Sequence, residues 1–243
     1  MRVCKVDYWL QFLKPIPIMK RILLSLFLIN LFIIGNGQKS KFEYGFQSGL
    51  NISSSYGDAF SQVKRGPLTG LHIGGHLKVT KTENWGFKFL VSYDNIGWIY
   101  KSLTLESNTS STGLMNVDIS IKLNYLNMPV LAEYSFGNKI KINVDGGFFL
   151  GILLNNKVIT EVKEPIPPNQ EPILESSSIA RKGTNFGLSL GSGVQIPIAS
   201  RLTLDFNVRD NLGLTSINKS QSSYSVGMKT NTFTISAGLS FKL

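Results

Sequence analysis

The chain has 243 residues, of which 42% are hydrophobic and only 16% charged, where about 25% charged is usual for a soluble globular domain. That balance excludes a disordered chain and sets the protein between the soluble and membrane classes. The formal charge of +10 needs the front of the chain removed before it says anything about partners.

Met19-Lys20-Arg21 is followed by the apolar run Ile22 to Ile34 and by Gly35-Asn36-Gly37. A basic start, a short apolar stretch and small residues make a secretory signal peptide over 19–37, too short to span a bilayer as a helix. Residues 1–18 read as an upstream extension or a misassigned start, and 38–243 as the mature domain. Removal takes five of the 25 Lys/Arg and one of the 15 Asp/Glu, leaving 20 against 14 with no dense basic run, which excludes nucleic acid as the expected partner. The single cysteine, Cys4, goes with the front. The mature chain has no disulfide framework and no lipoprotein cysteine, so pairing and packing must hold it together.

From Lys41 onward the period is two. The first strand, KFEYGFQSGLNI, puts Phe42, Tyr44, Phe46, Leu50 and Ile52 on one face. The second, TGLHIGGHLKVT, sets Leu71, Ile73, Leu77 and Val79 against His72, His76 and Lys78. The third, WGFKFLVSY, alternates Trp85, Phe87, Phe89, Val91 and Tyr93 with Gly86, Lys88 and Ser92. The fourth carries Val117, Ile119, Ile121, Leu123 and Tyr125, then changes phase to Leu126, Met128, Val130, Ala132, Tyr134 and Phe136. Because Pro129 cannot donate to a ladder, this change predicts a β-bulge there. The fifth strand, over 139–152, alternates Ile142, Val144, Phe148 and Leu150 with Lys141, Asn143 and Asp145. The sixth covers 185–198, the seventh 201–212 with Asp205 and Arg209 on its polar face, and the eighth 230–243.

The connections are 53–66, 81–84, 102–116, 137–138, 153–183, 199–200 and 213–229, alternately long and short. The runs have the roughly 9–11 residues that a tilted membrane strand needs. In hydrocarbon an open sheet edge leaves unpaired N–H and C=O groups at several kcal/mol each, so the sheet must close. The expectation is an all-β, eight-stranded antiparallel up-and-down transmembrane barrel, in the outer membrane of a Gram-negative cell, with short periplasmic turns and four long extracellular loops. Outer-membrane lipid is its expected surroundings and a monomer its expected state.

The polar phases define a candidate lumenal cluster: His72, His76, Asp118, Lys122, Lys141, Asp145, Asp205 and Arg209, with Glu133 beside it. An eight-stranded barrel is narrow enough for side chains to fill, and buried charges must be paired. An internal salt-bridge plug is therefore expected, and a poor pore. His72 and His76, four residues apart on a strand, stand roughly 13 Å apart at about 3.3 Å per residue, too far to share a metal without a neighbour. No catalytic residue, cofactor or metal is expected, and Gly191-Ser192-Gly193 and Gly146-Gly147 relieve lumenal crowding instead of cradling phosphate. The stretch 161–178, with four Pro and four Glu, reads as a solvated loop. The functional expectation is a structural or binding protein that presents its loops outward, not an enzyme. The alternatives are a small barrel enzyme using His72 or His76 with Asp205, and a soluble ligand-holding barrel.

Asn124 to Gly137 (NYLNMPVLAEYSFG), Lys141 to Lys157, FGLSLGSGVQIPI, Asp210 to Asn218 (DNLGLTSIN) and the terminal FTISAGLSFKL together resemble the PorT-like outer-membrane β-barrel proteins of the Bacteroidetes. The resemblance spans nearly the whole mature chain and implies two partners. One is the outer-membrane assembly machinery, which would read Phe241 and Leu243 in the terminal strand. The other is a type IX secretion or uptake assembly, or another surface partner.

Overall fold

The structure, a computed structural model, describes residues 41–57, 65–106, 114–164, 174–177, 183–218 and 227–243. The expected extension 1–18, the signal peptide 19–37 and most of the Pro/Glu loop lie outside the described residues. Nine strands form: β1 (Lys41–Tyr56), β2 (Arg65–Thr80), β3 (Trp85–Glu106), β4 (Leu114–Phe136), β5 (Lys141–Glu164), β6 (Leu174–Ser177), β7 (Thr184–Pro197), β8 (Leu202–Gly213) and β9 (Lys229–Lys242). All but β6 close an antiparallel ring in the order β1-β2-β3-β4-β5-β7-β8-β9. The seam joins β1 to β9 from Glu43 opposite Lys242 to Tyr56 opposite Lys229, so neither strand keeps an open edge along that span. The short β6 pairs only with Val158–Glu161 of β5.

The alternation of the sequence becomes the two faces of the wall. Phe46 is 67% exposed and Leu190 66%, and with Phe42, Leu50, Ile73, Phe87, Val130, Phe148, Phe206 and Ile235 they make an apolar belt around the outside. In water such a belt would be a large uncompensated surface; in hydrocarbon it is what the wall requires. Aromatic pairs gather at the turn end, where Tyr44 stacks on Phe241 at 5.5 Å and Trp85 meets Tyr134 at 5.0 Å.

Two sequence expectations need correction. First, about half of each of the connections expected after the third and fifth strands is strand: β3, β4 and β5 have 22, 23 and 24 residues, against 12 to 16 in the rest of the ring. About eight extra residues at about 3.3 Å each carry this side of the wall roughly 25 Å further along the strands. Second, β4 has no bulge at Pro129, which lies in register opposite Phe149. The irregularities fall higher, between Asn124 and Tyr125 and between Asn116 and Val117, where β5 carries the extra residue. Odd-numbered residues of β4 point inward without interruption from Ile121 to Ser135. The apolar phase nevertheless switches, because the surroundings do. Below Leu126 the apolar side faces lipid outside, and above it Ile121, Leu123 and Tyr125 face a dry interior. β3 does the same: Tyr93, paired with Leu126, is its last belt residue, and Ile96 and Trp98 then point inward.

Candidate functional site

The interior is built in three tiers from side chains of all eight ring strands. Nearest the turn end lies an ionic tier. Lys78 Nζ of β2 is 2.5 Å from Glu133 Oε1 of β4 and 4.0 Å from Glu43 of β1, and Lys88 of β3 is 3.9 Å from Glu133 Oε2. Ser135 Oγ donates to the same carboxylate at 3.0 Å, and Lys78 reaches across to Gln195 of β7 at 3.5 Å. Glu133 is completely buried, so its charge is matched inside the protein or not at all. On β5, directly opposite Glu133 in the register, Asp145 Oδ2 accepts from Arg209 of β8 at 3.3 Å. The strand between them is β7, and its residue there is Gly191; a Cβ at that position would stand 2.6 Å from Asp145 Oδ1. Glycine is what lets the pair meet across the intervening strand.

The middle tier centres on Asp94, a single buried carboxylate taking four donors. Asn51 Nδ2 donates to Oδ1 at 3.1 Å, Ser92 Oγ to Oδ2 at 3.0 Å and Asn127 Nδ2 to Oδ2 at 2.5 Å. His72 Nδ1 supplies the fourth at 2.5 Å, while Gln47 Nε2 donates to His72 Nε2 at 2.7 Å. Thr234 of β9 donates to Asn51 Oδ1 at 2.7 Å. One network thus ties β9, β1, β2, β3 and β4. With both ring nitrogens of His72 engaged, this imidazole offers neither a metal ligand nor a free base.

His76 has the composition of a nucleophilic pair and the wrong polarity. Its Nε2 lies 3.0 Å from Ser240 Oγ, and Ser240 donates to Asp205 Oδ2. A hydroxyl has one proton. With Asp205 ionised, Ser240 gives its proton to that carboxylate and accepts from His76 Nε2–H, whereas a base activating serine must receive that proton. Among the described residues no three His, Cys, Asp or Glu side chains converge as metal ligands.

The top tier is apolar and lies above the belt. Ile96, Trp98, Ile121, Leu123, Tyr125 and Val158 pack on the inner face of the tall β3–β4–β5 wall, with Ile217 and Met228 from the β8–β9 connection seated on them. That connection is fastened at both ends: Leu214 N donates to Phe186 O at 2.8 Å, and Ile217 N to Met228 O at 2.9 Å. The result is a small extracellular head with its own core.

Of the expected lumenal cluster, the structure places His72, His76, Asp145, Asp205 and Arg209 inside and buried. Lys141 lies on the inward phase but at the turn-end rim, half-buried. Lys122 and Asp118 are corrections. Both stand on the outward phase of β4 above the switch at Leu126, Lys122 half-exposed opposite Lys157 and Asp118 buried. The sequence pattern points them inward only on the premise that lipid covers the apolar side along the whole strand. Asp94 and its partners Gln47 and Asn51 escape a sequence reading that ends the third strand at Tyr93. Its polar phase, followed two residues beyond Ser92, arrives at Asp94.

A family model described as "Outer membrane protein beta-barrel domain" matches residues 36–219. No curated protein matches the chain. Among solved structures, Neisserial surface protein A is 15% identical over 85% of this chain and 100% of its own, with a TM-score of 0.43. OprG from Pseudomonas aeruginosa is 13% identical over 83% and 95%, with a TM-score of 0.46. A major outer membrane protein from Thermus thermophilus is 13% identical over 85% and 100%, with a TM-score of 0.45.

Proposed function

This chain belongs to the outer-membrane protein β-barrel domain family, and from that premise we propose that it is a closed, non-catalytic barrel that carries an extracellular head for binding. It is an integral protein of the cell outer membrane, its short turns periplasmic and its long connections outside. One observation carries the proposal: the inward side chains of every ring strand are buried against one another, with Lys88, Glu133, Asn51, Asn143 and Ser189 essentially inaccessible. A conducting lumen would leave them wet. The absence of catalysis is supported by the proton polarity at His76–Ser240–Asp205 and by the full engagement of His72. The tall wall gives the head its reach, and its packed core gives it a fixed shape without a disulfide.

Planar-bilayer recording of the refolded protein tests this. No stable ohmic conductance is expected from the native chain, and a steady open channel would overturn the closed-barrel reading.

The PorT-like resemblance supports a finer proposal, that the head docks a component of a secretion or uptake assembly and that the terminal strand, at Phe241 and Leu243, is read by the assembly machinery. The observation favouring a docking role is the pre-formed core of Trp98, Tyr125 and Ile217, which holds the head rigid before any partner arrives. Cross-linking from Lys122 and Lys157 in intact cells, followed by recovery of a defined membrane-complex subunit, is the expected result. Recovery of lipid alone would remove this role.

A further inference from the structure

The periplasmic end carries a charge pattern that the closed barrel does not account for. Lys41 opens β1, Lys81 lies in the β2–β3 turn, Lys139 in the β4–β5 turn with Lys141 opening β5, Arg201 precedes β8, and Lys242 closes β9. Among the described residues of this rim the opposing acidic side chain is Glu83 alone; Glu43, Glu133 and Asp205 point inward and are buried. Six cationic side chains against one acidic one surround the mouth on all sides. Mutual repulsion at one rim destabilises a fold unless something anionic meets it.

The position of the collar says what that is. The aromatic rings of this end, Tyr44, Phe241, Trp85, Tyr134 and Phe136, mark the headgroup level, where amphipathic rings settle, and Asn84 Nδ2 donates to Tyr134 OH at 3.2 Å from the turn itself. Four of the six stand close to a ring along the chain: Lys242 adjoins Phe241, Lys41 is three residues from Tyr44, Lys139 three from Phe136 and Lys81 four from Trp85. At about 3.3 Å per residue the six lie near the level of these rings: Lys81, Lys139 and Arg201 stand in or beside the turns, while Lys41, Lys141 and Lys242 end the inward phase of their strands and reach the headgroups over the rim. We infer that this basic and aromatic collar selects anionic phospholipid headgroups from the periplasmic leaflet. Near an anionic surface each basic side chain favours association by about five-fold, so an annulus enriched several-fold in anionic lipid follows.

Trp85, 54% exposed at this end, reports on its own neighbours. The native chain is refolded into vesicles of phosphatidylcholine and phosphatidylglycerol, with the acyl chains of one lipid and then the other brominated, and quenching of Trp85 gives their relative association. A preference of about three- to five-fold for phosphatidylglycerol is expected, falling towards one at about 1 M salt, where the screening length is about 3 Å. The preference should vanish in a variant with Lys41, Lys81, Lys139, Lys141, Arg201 and Lys242 all changed to Gln, and survive when the five lysines are changed to Arg. Heat-dependent gel migration confirms folding. If the Gln variant does not fold, the salt series and the Arg variant decide alone. Equal quenching by the two lipids in the native chain, or a preference unmoved by salt, overturns the inference. So does the absence of lipid preference together with salt-sensitive sedimentation on purified sacculi, which would make an anionic wall polymer the partner.

Discussion

Replacing Glu133 by Gln removes one charge and almost no volume from the most enclosed point of the interior. Glu133 faces Lys78 at 2.5 Å and Lys88 at 3.9 Å with no solvent access. Glu43, 4.0 Å from Lys78, and Asp145, opposite Glu133 in the register and already held by Arg209, remain nearby, but neither replaces the 2.5 Å contact to Lys78. Removing one partner of a buried pair leaves an uncompensated charge and costs about 3–5 kcal/mol, so Glu133→Gln should destabilise by about that amount in urea unfolding from lipid vesicles. The double variant Glu133→Gln/Lys78→Met should recover part of the loss, because the stranded ammonium is gone; a coupling of at least about 1.5 kcal/mol is expected from groups this close. Tryptophan fluorescence and the heat-dependent gel shift follow the transition independently. A loss below about 1 kcal/mol in the single variant, or strict additivity in the double, would mean that water reaches Glu133 and that the interior is not closed.

Five further substitutions, one with a suppressor, probe the other parts. Val130→Lys, on the lipid belt, should cost about 2–4 kcal/mol in the same unfolding assay, while Lys122→Leu, on the same outward phase of β4 but above the belt, should change stability by no more than about 0.5 kcal/mol. Trp98→Ala should loosen the head by about 3–5 kcal/mol, read as new proteolytic cleavage in the β3–β5 wall with the urea midpoint of the embedded barrel unchanged. Gly191→Ala pushes a methyl towards Asp145 Oδ1 and should cost about 1–3 kcal/mol, with Arg209→Met suppressing part of it. Phe241→Ala removes the stack on Tyr44, worth about 0.5–1.5 kcal/mol beyond its area, and should lower the outer-membrane yield on cell fractionation.

The ring strands are legible because lipid imposes a sharper rule than water does on an ordinary surface: Phe42 to Ile52, Trp85 to Tyr93 and Phe233 to Leu239 each repeat every second residue with hardly an exception. The tiers inside are less legible. A polar lumen residue and a polar surface residue look alike in sequence, and which strands bring Asp94 beside His72 or Arg209 beside Asp145 depends on a register chosen from many possible pairings. Gly191 gives no sign of its neighbour's charge. The glycines of β5 and β7 do announce crowding, because a strand that keeps giving up its inward side chain is making room for others.

The switch in β4 is visible in the sequence and imitates a bulge, for a reason that applies to barrels in general. Apolar alternation records which side of a strand avoids water, not which side faces the lumen. Inside the membrane these are opposite sides; above it they are the same. A strand that crosses the boundary without a break must therefore exchange its apolar phase while its backbone phase stays constant, and a bulge does the reverse. The two explanations separate on neighbouring strands. Bulges arise from local sequence and need not align, whereas the membrane surface cuts adjacent strands at one level. β3 gives up its outward apolar phase after Tyr93 and β4 after Leu126, and these residues are paired. β5 turns at the same level by the other means: it carries an extra residue opposite Asn124 and Tyr125, so that Ile152, opposite Leu126, is outward and Val158, opposite Ile121, is inward although both keep one parity. Two unbroken strands with unrelated local sequences change at one level, so the common cause is the plane of the outer membrane's external surface, and the polar phase above it, with Asn95, Asn124, Lys122 and Lys157, is the surface the cell presents.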